Sequence, residues 1–78
     1  MIKLGAKVYR RDADGWDNVG DVVQIGDGWV VVDFFEWKER WREDQFVIEY
    51  LFHQGYDVLV PICPGEVIMR FQQKEGGS

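Results

Sequence analysis

The sequence predicts a mainly-β fold in one small domain, and two observations lead there. The stretch Gly28-Trp29-Val30-Val31-Val32-Asp33-Phe34-Phe35 sets three consecutive valines between aromatic residues. β-Branched and aromatic side chains suit a pleated, half-buried surface, so this stretch is a strand. Turn-forming pairs punctuate the other apolar runs: Asp27-Gly28 before the stretch and Pro64-Gly65 after it.

In chain order, Ala6 to Arg10 is a first short strand with Ala6 and Val8 facing inward. Residues 11–18 form a polar loop rich in Asp, Asn and Gly, which favour turns. Gly20 to Ile25 is the second strand, and Gly26-Asp27-Gly28 closes a tight hairpin because Asp-Gly supplies the positive φ it needs. In the third strand, alternation puts Val30, Val32 and Phe34 on one face and Trp29, Val31, Asp33 and Phe35 on the other. Both faces are largely apolar, so the second needs a cover of its own.

Residues 36–51 support two readings. Trp37, Trp41, Ile48 and Leu51 stand at near-helical spacing, with Glu36, Lys38, Glu39, Arg40, Arg42 and Glu43 as a solvated face, which describes a short helix around 36–45. The adopted reading is a bend at 36–39, a short strand at 40–42, a helical turn at 43–45 and a strand from Phe46. His53-Gln54-Gly55 is a turn. Tyr56–Val60 and Glu66–Phe71 then form a C-terminal β-hairpin around a Pro64-Gly65 type II turn. Residues 1–72 make up the single domain and 73–78 a disordered polar tail.

A chain of 78 residues buries only about 60 per cent of its unfolded surface, so such domains lean on disulfides, metals or association. Cys63 is the single cysteine and His53 the single histidine, which leaves no intrachain disulfide and too few soft ligands for zinc. No cofactor is expected. Four tryptophans, three tyrosines and five phenylalanines suit a dense core or an interface. A net charge of −5 disfavours general attraction to phosphate backbones. Residues 1–11 hold Lys3, Lys7, Arg10 and Arg11 without an apolar run, so no secretory leader is expected. No stretch approaches the roughly 18 apolar residues of a membrane span. One free thiol points to a reducing, cytoplasmic setting.

The order Gly5-x-x-Val8, variable loop, Gly20-x-Val22-x-x-Ile25, Gly-rich turn, Val30-x-Val32-x-Phe34 resembles the opening of an SH3-like small β-barrel. Tudor, KOW and photosystem I subunit IV domains share that architecture, and the resemblance covers residues 4–52. It implies a barrel of about five strands, here with the C-terminal β-hairpin added, and no single function, because such barrels host many roles. A Tudor likeness would imply an aromatic cage for a methylated cation from Trp16, Trp29, Phe35 and Trp37. A KOW likeness would imply basic loops for RNA, whereas the first loop carries Asp12, Asp14 and Asp17.

Asp12-x-Asp14-Gly15-x-Asp17 has a calcium-loop look, but Trp16 stands where an oxygen ligand is required, so it reads as an Asx-rich turn. His53 has no nucleophile at a recognisable spacing, and nothing beside Cys63 would activate its thiol. No enzyme is expected; a site assembled only at an oligomer interface is the remaining catalytic reading. The expected contact set is Trp29, Val31, Phe35, Trp37 and Trp41, a face through which the chain docks a protein or itself as a homo-oligomer. Arg40 and Arg42, with Lys38, interleave with Trp37 and Trp41, and arginine and tryptophan are favoured at interface hot spots. The alternative use of this segment is single-stranded nucleic-acid binding, although Glu36, Glu39, Glu43 and Asp44 neutralise it locally.

Overall fold

The computed structural model describes residues 2–11, 17–51 and 55–70. Seven strands carry all the regular structure among these residues: β1 (Lys7–Arg11), β2 (Asp17–Ile25), β3 (Trp29–Asp33), β4 (Trp37–Arg42), β5 (Phe46–Leu51), β6 (Tyr56–Pro61) and β7 (Glu66–Arg70). They form one sheet in the order β5-β6-β1-β2-β3-β4-β7, so the fold is mainly β as the sequence predicts. Every pairing is antiparallel except β1 with β6, which run parallel through Val8↔Leu59.

The sheet curls strongly. β4 and β5 are five positions apart in it, roughly 24 Å if it lay flat, yet the Trp41 and Phe46 rings meet at 5.5 Å. The curl wraps a core of Val8, Val22, Val30, Val32, Phe34 and Trp41, against which Ile2, Ala6, Trp37, Phe46 and Leu59 pack. Val30, Val32 and Phe34 all face this core, the facing that alternation predicts for β3.

Three expectations are corrected. First, the barrel is not closed: β5 and β7 are the two ends of the sheet, because β4 takes β7 as its outer neighbour while β5 turns away to pair with β6. Second, residues 36–45 hold no helix. β4 starts at Trp37 and pairs with β3 from Asp33↔Lys38 to Trp29↔Arg42. Two tryptophans four residues apart satisfy a period of 2 as well as one of 3.6, and alternation sends Trp37, Glu39 and Trp41 inward together. Residues 43–45 are a single turn, with Gln45 N–H donating to the Arg42 carbonyl at 3.1 Å.

Third, β6 and β7 do not form a hairpin. Residues 62–65 carry the chain across one end of the curl, from β6 to the outer edge of β4. Prolines 61 and 64 offer no N–H to a hairpin ladder. Gly65 does not adopt the positive φ of a type II turn; it is small because the Trp41 ring lies against it, and an added Cβ would stand 2.3 Å from Trp41 Cε2. The loop before β2 with Trp16, the turn at His53, Phe71 and the tail lie outside the described residues.

Candidate binding cleft

The β2–β3 hairpin sets one wall. Gly28 holds a φ of +86°, and Gly26 N–H donates to the Trp29 carbonyl at 2.8 Å. The Trp29 indole folds back over Gly26, where a Cβ would meet Cε2 at 2.0 Å. Register then fills the outer face: Trp29 stands opposite Arg42, Val31 opposite Arg40, and Arg40 opposite Glu66. Arg40 Nη2 donates to Glu66 Oε2 at 3.0 Å and Arg42 Nη2 to Asp44 Oδ2 at 3.1 Å.

The β4–β5 turn and the 62–65 connection supply the floor. Arg42 N–H donates to Gln45 Oε1 at 2.8 Å, Gln45 Nε2 to Cys63 Sγ at 2.8 Å, and Trp41 Nε1 to the Cys63 carbonyl at 3.0 Å. Ile62 N–H donates to the Gln45 carbonyl at 2.9 Å. Between these parts lies an open cleft of about 280 Å³ lined by Trp29, Arg40, Trp41, Arg42, Gln45, Pro64 and Glu66.

The structure therefore divides the expected contact residues. Trp29, Arg40, Trp41 and Arg42 surround the cleft, with Trp41 presenting little surface because it is 2% exposed. Val31 is 3% exposed and lies outside the core cluster, on the outer face between Gln24 and Arg40. The stems of such long polar side chains cover apolar surface while their heads stay wet, which gives β3's second face part of its cover. Phe35 and Trp37 sit at the far end of the β3–β4 hairpin. Phe35 is 83% exposed with a φ of +81°, and Trp37 is half-buried, stacked on Phe34 at 5.6 Å. Trp16 is not among the described residues.

A polar group inside the curl escaped the sequence reading. Glu39, expected on a solvated face, is 1% exposed beside Val32 on the inner face. Its Oε2 accepts the Trp37 indole N–H, and its Oε1 lies 3.6 Å from Arg10 Nε without a hydrogen bond. Asn18 Nδ2 is likewise buried and unpartnered, on the β2 residue opposite Arg10. The alternation Trp37-x-Glu39-x-Trp41 would have revealed the inward carboxylate had residues 37–42 been read as strand.

No group of three or more His, Cys, Asp or Glu among the described residues is placed to hold a metal. No helix among them is long and apolar enough to cross a membrane. Compared with known proteins, the chain matches no protein family, no curated protein and no solved structure.

Proposed function

We propose that this chain is a non-catalytic binding module that docks an extended, acidic polypeptide segment across the Trp29 cleft. One observation carries the reading: Trp29 shares a concave site with two arginines and one glutamate, in a molecule whose net charge is −5. Each guanidinium group in the cleft is matched by one carboxylate, Arg40 by Glu66 and Arg42 by Asp44. The cleft is thus charge-paired on an otherwise acidic molecule, and that is where a carboxylate-bearing partner is favoured. Trp29 and Pro64 offer flat apolar contact, and the guanidinium groups of Arg40 and Arg42 offer forked donors matched to carboxylates. Both arginines already hold single carboxylate contacts, so a partner exchanges one acidic partner for another and needs no rearrangement of the strands.

The test is indole N–H resonances in nuclear magnetic resonance spectra, recorded while an extended peptide of alternating Glu and Pro residues is added. The Trp29 resonance shifts and saturates, while the Lys–Pro counterpart leaves it in place. Equal response to both peptides, or a shift confined to Trp37, overturns the proposal. Nucleic-acid binding through the same arginines would appear instead as affinity for single-stranded oligonucleotides that collapses with added salt.

A further inference from the structure

We infer that β5 is a self-docking edge: two copies of this chain pair β5 with β5, antiparallel, about a two-fold axis at Ile48. An edge strand presents unpaired N–H and C=O groups, and proteins blunt such edges with bulges, charges or proline. The two edges here differ in that respect. β7 is bulged where its register against β4 shifts between Val67 and Met69, and it is flanked by Glu66 and Arg70. β5 keeps an unbroken ladder to β6, from Phe46↔Pro61 to Leu51↔Tyr56. It contains no proline or lysine and a single charge, Glu49. Val47, Ile48 and Tyr50 are 44%, 71% and 52% exposed, and among the described residues β5 has no strand on its outer side.

Charge and facing select both the occupant and the register. Residues directly opposite must share a face, so an antiparallel pair of identical strands is centred on a residue. Centring on Glu49 sets two carboxylates against each other, which is unfavourable. Centring on Ile48 sets Ile48 against Ile48, Phe46 against Tyr50 and Val47 against Glu49, so each carboxylate faces a valine and the apolar side chains meet. The inner-face pair of Phe46 and Tyr50 continues the aromatic contact that Phe46 already makes with Trp41. A strand whose one charge lies just off centre is thus complementary to its own reverse. This surface is separate from the Trp29 cleft, so the inference stands or falls independently of peptide binding.

Sedimentation of the reduced full chain across the micromolar range tests it. The wild type sediments as a dimer, Ile48→Lys as a monomer with an unchanged circular dichroism spectrum, and Val67→Lys on the other edge remains a dimer. A second variant guards against misfolding. At a two-fold pair the residue-48 Cα atoms lie about 4.5–5.5 Å apart, within disulfide reach. Ile48→Cys in a Cys63→Ser background therefore forms a covalent dimer on mild oxidation, while Glu49→Cys, facing Val47, does so poorly. A monomeric wild type, a dimer that survives Ile48→Lys, or failure of Ile48→Cys to cross-link overturns the inference.

Discussion

The indole N–H of Trp41 donates to the Cys63 carbonyl at 3.0 Å, while its ring occupies the space a side chain on Gly65 would need. One tryptophan on β4 thereby fixes the connection that carries the chain from β6 to β7. The same ring meets Phe34 and Phe46 at 5.8 Å and 5.5 Å. The cleft floor and the core are one piece of packing.

Gly65→Ala therefore costs about 1–3 kcal/mol, the range for forcing an extra carbon into a packed site. Trp41 is 2% exposed and cannot yield. Gly26→Ala meets the Trp29 ring as closely, but that ring is half-buried and swings outward, so the cost is smaller and the cleft loses its wall. Urea midpoints of the two variants check this; a larger loss for Gly26→Ala contradicts it.

Phe35→Asn stabilises the protein by about 1 kcal/mol, because a bulky residue at positive φ is strained and asparagine tolerates that region. The hairpin tip keeps its own bonds: Phe34 N–H donates to the Trp37 carbonyl at 2.9 Å and Phe35 N–H to Asp33 Oδ1 at 2.8 Å. With 83% of Phe35 exposed, little packing is lost. A lowered melting temperature would show that its ring holds the fold.

Glu39→Ala removes the acceptor for the Trp37 indole and the only carboxylate seen beside Arg10 among the described residues. It costs about 2–3 kcal/mol, below the value for a fully buried pair because Arg10 is partly solvated. Glu39→Gln keeps an acceptor for the indole and loses less. Denaturant melts that rank the two variants in the opposite order contradict the inward role of this side chain.

Lys7 titrates above its ordinary value of 10.5, through its hydrogen bond to Asp21 and then the charge of Asp21. A raised folded value contributes stability that is complete below the ordinary value and fades as pH climbs through the folded one. The pair is exposed and solvent-screened, so its contribution is small. Asp21→Asn leaves the neutral melting temperature nearly unchanged and removes the wild type's extra loss in alkali. A large neutral loss would place the pair in the core instead.

How much was legible follows from which signals are local. β3 and its inward set Val30, Val32 and Phe34 could be read because alternation, valine content and the Asp27-Gly28 turn agree. β4 looks shorter in the sequence than it is because Trp37 and Trp41 fit two periods, and the choice depends on β3 lying alongside, a tertiary fact. The separation of β6 from β7 was hidden because a Pro64-Gly65 pair looks like a turn, whereas Gly65 is required by the distant Trp41 ring. The cleft is half legible: Trp29, Arg40, Trp41 and Arg42 stand out in the sequence. Gln45, Pro64 and Glu66 join them only through the crossing connection.

The most direct measurement is calorimetric titration of the wild type and Arg42→Glu with the Glu–Pro peptide, repeated with an oligothymidylate. The account predicts saturable peptide binding that weakens about tenfold or more in Arg42→Glu, the loss of roughly one charge-assisted contact, and no oligonucleotide affinity at moderate salt. Unchanged peptide affinity in Arg42→Glu, or oligonucleotide binding that outcompetes the peptide, would contradict it.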